Sequence, residues 1–406
     1  GRSCSSRWPG SDSYQPGSSG GCVFRTAVDC ADVTQTESDQ TVLWRIRPLA
    51  IPRTLDDITP EWLTGALRAN ANLNDPVVES LSVKPTGNGY AGVLGRLTVI
   101  YADECDTPST LIAKLPSVDP DIRKYAIDDG MYRRETRFYQ DLAKDSGIPV
   151  PKCYYADLDS KTGGFVLLLE DLGDMREGDE VAGCSVEDAM NVVRNLAQLH
   201  AAWWNDGRTA SLDWLAGTES PSMTGMRLQN LYVEAWDKTS DTFARIYPPD
   251  TFNIAERLGP NLAVVLQAAT TGHQTLNHGD THLGNMFFRD PEVVLVDWQN
   301  VMVTSPALDI AYFIQGSLQI ETRRTHEQEL LDEYLTTLYR NGVTGYSRDQ
   351  LIDDYRRGVL RTLVPSVLSM ANLDMETPDS RELIETIGAR MIGIADWDCG
   401  ALIPGS

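Results

Sequence analysis

The chain has 406 residues and a formal charge of −23, from 58 acidic and 35 basic side chains. That balance argues against a nucleic-acid binder, which needs a basic face, and against adhesion to anionic membranes. No apolar run approaches the roughly 20 residues of a membrane span, and the seven cysteines, without a CxxC pair, read as free thiols of a reducing, cytoplasmic compartment.

Residues 1–45 are rich in Ser, Gly, Asp and Thr without periodicity and read as a disordered tail or an extension. Thr59-Pro60-Glu61-Trp62-Leu63 is a helix start, with a cap and a proline in the first turn. Val77 to Lys84 reads as a strand. A glycine-rich loop follows, Gly87-Asn88-Gly89-Tyr90-Ala91-Gly92, and then a second strand. The next apolar strand carries Lys114 near its end, where a lysine is costly to bury without an anionic partner. Met131 to Leu142 reads as a helix whose inward stripe is Tyr132, Glu135, Phe138, Tyr139 and Leu142. A carboxylate on an inward stripe implies a buried cation, so Lys114 and Glu135 answer each other. The plainer alternative is a surface glutamate among Arg133, Arg134 and Arg137.

Pro149-Val150-Pro151 ends that helix. Two strands follow, Lys152 to Leu158 and Gly164 to Glu170, the second running into Asp171-Leu172-Gly173. Ser185 opens a helix whose apolar stripe holds His200, more naturally a hydrogen-bonded core histidine than a ligand. Residues 205–270 are helical in pattern, and their aromatic residues read as core before pocket.

The stretch His278-Gly279-Asp280-Thr281-His282-Leu283-Gly284-Asn285 precedes two short strands around an Arg289-Asp290-Pro291-Glu292 turn, and Asp297 closes the second. One carboxylate thus sits in a tight loop, while an amide and a second carboxylate lie where a hairpin brings its ends together. This layout suits phosphoryl transfer: one acid orients or deprotonates a hydroxyl, and two oxygen ligands hold Mg²⁺. His278, Asp280 and His282 also alternate as zinc ligands on a strand would, which would suit a metal-dependent hydrolase. The glycines argue for a loop, and no cysteine or third histidine completes a zinc set. Beyond the hairpin, helices are expected from about Ser305, from Glu327 to Tyr339, from Arg348 to about Leu368, and from Asp379 to about Ala395.

His278-x-Asp280-x-x-x-x-Asn285, followed by Val296-Asp297-Trp298, resembles the catalytic and metal loops of the protein-kinase-like fold. The His-Gly-Asp-x-His-x-Gly-Asn form is similar to the aminoglycoside phosphotransferase and choline kinase branch. Glu170-Asp171-Leu172-Gly173 and the Tyr334 to Arg356 phrase most resemble its ecdysteroid-kinase-like (CHK kinase-like) subgroup. The resemblance implies an α+β, two-lobed fold: a nucleotide-binding lobe over 46–171 with a roughly five-stranded antiparallel sheet, and a mainly helical catalytic and acceptor-binding lobe over 172–406. It implies an ATP-dependent phosphotransferase, GTP not excluded, acting on the hydroxyl of an aminoglycoside-like, choline-like or bulky alcohol, with no nucleic-acid or membrane partner. Asp280 would be the catalytic base, and Asn285 and Asp297 the Mg²⁺ ligands. Lys114, paired with Glu135, would meet the phosphates, with Gly87, Asn88, Gly89 and Gly92 covering them. Backbone groups of Glu170, Asp171 and Leu172 would meet the adenine, while His278 and Asp309 support the loop. Trp298-Gln299 replaces Phe-Gly and no activation segment separates Asp297 from Asp309, which points to constitutive activity. A catalytically silent nucleotide-binding protein is the alternative, although Lys114, Asp280 and Asp297 are all present.

Overall fold

A computed structural model describes residues 49–405 apart from 71–72, 74, 90, 217–220, 269–270 and 372–376. The segment expected to be a tail, 1–45, lies outside the described residues, as does Tyr90. Helix α1 (Pro60–Ala69) begins as its sequence requires, with the Thr59 hydroxyl accepting from the Trp62 N–H at 3.2 Å. Its buried face, Leu63, Ala66 and Leu67, packs on a five-stranded antiparallel sheet. The strands are β1 (Val78–Gly89), β2 (Gly92–Tyr101), β3 (Thr110–Pro116), β4 (Cys153–Asp159) and β5 (Gly164–Glu170), in spatial order β1-β2-β3-β5-β4. On β3, Leu111, Ala113 and Leu115 join the cluster under α1. Side chains alternate along a strand, so Lys114 emerges on the opposite face.

That face is covered by α3 (Met131–Arg137), against which α2 (Pro120–Asp128) packs. The sequence reading passed over α2, which starts at Pro120 with the Asp119 carboxylate accepting from the N–H groups of Asp121 and Ile122. The single helix expected from Met131 to Leu142 instead widens into a π-helical turn over Phe138–Leu142. The expected glycine-rich loop is also tighter than composition suggested. β1 continues to Gly89, with Asn88 opposite Val93 and Gly89 opposite Gly92, and a register break between Pro85 and Asn88 absorbs the irregularity. Cross-strand backbone hydrogen bonds need no side chains, so a neighbouring strand keeps these glycines in the ladder.

The helical lobe contains α4 (Val186–Ala202), α5 (Pro221–Ile246), α6 (Pro249–Leu258), α7 (Ala307–Ser317), α8 (Ile320–Arg340), α9 (Arg348–Arg361), α10 (Leu363–Met370) and α11 (Pro378–Arg390). α8 is longer than expected and α11 stops short of Ala395. The helix expected from Arg348 to Leu368 breaks at Thr362. Pro365 explains the break, because it cannot donate to the Arg361 carbonyl and its ring would collide there. Between α6 and α7, β7 (Thr275–Asn277) pairs with β10 (Met302–Thr304), and β8 (Met286–Arg289) pairs with β9 (Glu292–Leu295). A third short strand, β6 (Arg176–Glu177), adds to β8.

α9 lies flush on α7 because Gly358 has no side chain: a Cβ there would fall 2.7 Å from Ala311 Cβ and 2.9 Å from the Ala307 carbonyl oxygen. Gly358→Val should push the helices apart and cost about 1–3 kcal/mol. Urea denaturation would check this, and a midpoint unchanged from wild type would refute the close packing. No described helix is long and apolar enough to cross a membrane.

Candidate active site

The loop between β7 and β8 is held from beneath by Asp309, in the first turn of α7. Its carboxylate accepts from the backbone N–H groups of His278 (2.7 Å) and Gly279 (2.9 Å) and meets His200 Nε2 at 3.3 Å. Its carbonyl accepts from the Thr281 hydroxyl at 2.7 Å. His200 is buried and also contacts the Tyr334 hydroxyl at 2.7 Å, which makes it part of the packing rather than a ligand. Gly279 turns the chain at φ +85°, and a Cβ there would lie 2.3 Å from the Asn300 carbonyl oxygen, so only glycine fits. His278 Nε2 faces the Val296 carbonyl at 2.9 Å, and its Nδ1 accepts from the Asp280 N–H at 3.3 Å. The histidine therefore ties the Asp280 loop to the segment that leads from β9 to Asp297.

Asp280 is presented at the loop tip with its side chain 21 % exposed. Asn300 Nδ2 donates to its Oδ2 at 3.1 Å, His282 Nε2 lies 3.8 Å from its Oδ1, and the Tyr312 hydroxyl rests against the carboxylate. Burial pushes the Asp280 pKa up and the nearby Asp297 charge adds to this, while His282, His278 and Asn300 pull it back. Asn300 and Tyr312 were missed in the sequence reading. Tyr312 was accessible in principle, since it stands three residues from Asp309 and shares its helix face. Asn300 carries no spacing signal.

Lys114 Nζ bridges two carboxylates, Glu135 at 2.8 Å and Asp297 Oδ1 at 2.9 Å. Lys114 and Glu135 side chains are 7 % and 1 % exposed, which excludes the surface-glutamate alternative. Burial works against the ammonium, but Asp297 and Glu135 together hold its pKa above the ordinary lysine value. Burial pushes Glu135 up, Lys114 opposes this, and the Asp297 charge pushes in the same direction as burial. Gly92 contributes by close approach: a Cβ there would lie 2.8 Å from the Leu115 carbonyl oxygen and 3.4 Å from Lys114 Cε.

Asp297 adopts φ +63°, a left-handed conformation that aspartate tolerates better than most residues and that often marks functional sites. The next residue anchors it. Trp298 is fully buried and stacks on Phe138 with centroids 3.8 Å apart and planes 6° from parallel. Arg134 Nε donates to the Gln299 carbonyl at 2.8 Å. The segment after Asp297 is thus fastened to the same π-widened helix that carries Glu135, which is what Trp-Gln does in place of Phe-Gly.

Asn285 stands next to this pair, its backbone carbonyl accepting from the Val296 N–H at 3.0 Å. Its amide nitrogen donates to the Asp280 carbonyl and lies against His282 Nε2, both at 3.0 Å. That leaves Asn285 Oδ1 and the second oxygen of Asp297 as the open donors. Two hard oxygens and no sulfur suit Mg²⁺ completed by phosphate and water oxygens. His282 Nδ1 lies 3.0 Å from Glu180, another residue the sequence reading did not single out. Burial works against its charge, but Glu180 and Asp280 raise its pKa to about 9. The zinc alternative finds no support in this arrangement, because His278 and His282 turn to different partners. Among the described residues no three His, Cys, Asp or Glu side chains gather as a metal site.

The expected adenine contacts are partly committed elsewhere. The Glu170 N–H donates to the Lys152 carbonyl at 2.9 Å, and the Leu172 carbonyl accepts from the Met175 N–H at 2.8 Å. The Asp171 carboxylate pairs with Arg96 Nε at 2.9 Å, which ties the linker to β2. Gly87, Asn88 and Gly89 form the end of β1, with Asn88 opposite Val93 and Gly89 opposite Gly92.

Sheet, linker and helical lobe together define a protein-kinase-like fold. A choline kinase from Cryptosporidium parvum Iowa II superposes with a TM-score of 0.53 at 12 % identity, covering 83 % of this chain and 95 % of its own. A choline kinase from Streptococcus pneumoniae (TM-score 0.46, 14 % identity, 78 % and 93 % covered) and a macrolide 2'-phosphotransferase from Brachybacterium faecium (0.41, 15 %, 82 % and 97 %) are more distant. No curated protein matches the sequence. Residues 86–342 match the model of the ecdysteroid kinase-like family, and the chain belongs to that family.

Proposed function

We propose that this protein transfers the γ-phosphoryl group of ATP to a hydroxyl of a small molecule. The supporting observation is that Lys114 and Asp297, 183 residues apart in sequence, meet at 2.9 Å beside the Asp280 loop. Magnesium, when bound, would spread the phosphate charge and align the transferred group. Asn285 Oδ1 and Asp297 would hold the metal. Lys114, its ammonium secured by Glu135, would neutralise phosphate oxygens. Asp280 would accept or orient the proton of the acceptor hydroxyl, its Oδ2 positioned by Asn300 and its loop by Asp309. The N-terminal lobe over 46–171 would carry the nucleotide, with the β1–β2 hairpin around Gly87, Asn88, Gly89 and Gly92 over the phosphates. Free backbone groups near Asp171 would meet the base, adenine or guanine. The helical lobe over 172–406 would receive the acceptor. Because Trp298 and Gln299 are fastened, the metal loop needs no phosphorylation to order it.

Thermal-shift titration with MgATP, followed by ADP-release assays across a panel of alcohols, tests this reading. Binding that requires Mg²⁺, with turnover on at least one alcohol, is the expected result. Tight MgATP binding without turnover on any of them would favour the silent nucleotide-binding alternative.

A further inference from the structure

Three arginines flank Glu135 in sequence, and the fold separates them. Arg133 pairs with Asp213 at 3.1 Å and Arg137 with Asp141 at 2.9 Å. Arg134 turns instead toward the segment after Asp297, its side chain 20 % exposed. All three of its guanidinium nitrogens are committed. Nε donates to the Gln299 carbonyl at 2.8 Å, Nη1 to the Asp129 carbonyl at 2.5 Å and Nη2 to Asp129 Oδ2 at 2.6 Å. A guanidinium is a rigid planar fork, so bonds in several directions fix both its position and its plane. Asp129 can offer its carbonyl and its carboxylate together because Gly130, at φ +77°, turns the chain between α2 and α3.

The clamp has a second anchor. Asp129 Oδ1 accepts from Arg227 Nη2 of α5 at 3.1 Å, and the Asp129 side chain is 17 % exposed. One aspartate thus joins an arginine of α3 to an arginine of the helical lobe. What the clamp grips is the peptide that leads into Asn300. The Gln299 carbonyl and the Asn300 N–H belong to one planar unit. Holding that oxygen therefore constrains the direction in which the Asn300 side chain leaves the backbone. Asn300 Nδ2 in turn donates to Asp280 Oδ2 at 3.1 Å. Asp297 has separate supports, since it meets Lys114 at 2.9 Å and the next residue, Trp298, stacks on Phe138.

We propose that Arg134 is a positioning residue for phosphoryl transfer: clamped by Asp129 and Arg227, it holds the Gln299–Asn300 peptide so that Asn300 keeps its hydrogen bond to the Asp280 carboxylate. The inference rests on the phosphotransferase reading above. A general base must present its oxygen to the incoming hydroxyl within hydrogen-bond reach, and a donor on Oδ2 steadies the rotation of the carboxyl group.

The test uses the full chain with MgATP and reads ADP release with choline, kanamycin and cholate as hydroxyl acceptors. Arg134→Met should lower kcat on the best of them by about 10- to 100-fold, the worth of a hydrogen bond to a charged group. The MgATP-induced thermal shift should stay that of wild type. Asp129 keeps Arg227 in this variant, so no carboxylate is stranded. Arg134→Lys, with one ammonium in place of the fork, should recover part of the rate. In an Asn300→Ala background, Arg134→Met should change kcat by less than about 2-fold, because residues that act through one contact are not additive. A full additional loss in the double variant, or a fall in MgATP affinity as large as the fall in kcat, would overturn the proposal. A second measurement needs no turnover. With asparagine side chains labelled with ¹⁵N, the Asn300 amide resonance, identified by its absence in Asn300→Ala, should move in Arg134→Met. A resonance that stayed in place would overturn the proposal. Failure of wild type to use any acceptor would instead count against the kinase reading, and the resonance would still decide the role of Arg134.

Discussion

Asp280→Ala is expected to lower kcat by about 10²- to 10⁴-fold, the usual worth of a positioned general base, while the MgATP-induced thermal shift persists. No neighbour can take over. The Tyr312 phenol is held in its protonated form, its pKa raised well above the ordinary value by burial and then by the Asp280 charge. Asn300 is an amide without basicity, and His282 is engaged by Glu180 and Asn285. The change should leave the fold intact, because the loop is anchored by Asp309 through the backbone of His278 and Gly279 and not through the Asp280 carboxylate. Steady-state kinetics on any accepted alcohol would check this. A rate within a few-fold of wild type would remove Asp280 from the chemistry.

Asp297→Ala should act on the other half of the reaction. It removes one of the two proposed oxygen ligands, and losing merely an outer partner of a metal ligand already costs about 10- to 100-fold in metal affinity. MgATP affinity should therefore fall by at least about 100-fold, and the thermal shift should vanish at concentrations that saturate wild type. Unliganded stability should change far less. Lys114 keeps Glu135 at 2.8 Å, so no buried charge is stranded, and Trp298 keeps its stack on Phe138. Lys114→Met is the informative contrast. It would leave Glu135, 1 % exposed, without its cation, a loss on the order of 3–5 kcal/mol if the acid stayed ionised. Isothermal titration with MgATP and melting of the free proteins separate the two outcomes. An Asp297→Ala protein that bound MgATP normally would disprove the assigned metal site.

Local patterns carried much of the architecture. The Thr59 and Ser185 caps start helices as their chemistry requires, the Arg289 to Glu292 turn joins two strands, and Lys114 on an apolar strand implied the buried acid that Glu135 supplies. Each is a contact between residues close in sequence or a burial cost that one residue type imposes wherever it stands. The misjudged elements had partners from elsewhere. β1 runs to Gly89 because β2 pairs with it, and the helix after Met131 widens where Phe138 receives Trp298.

The spacing from His278 to Asp297 was enough by itself to propose the side chains for phosphoryl transfer, because that chemistry needs particular residue types a few positions apart on one loop and one hairpin. Tertiary structure alone decided that Lys114 reaches Asp297 across 183 residues and that Asn300 and Tyr312 flank Asp280. These contacts depend on how separate helices and strands pack. Helix and strand periods report which face of an element is buried, but carry no information about what that face meets.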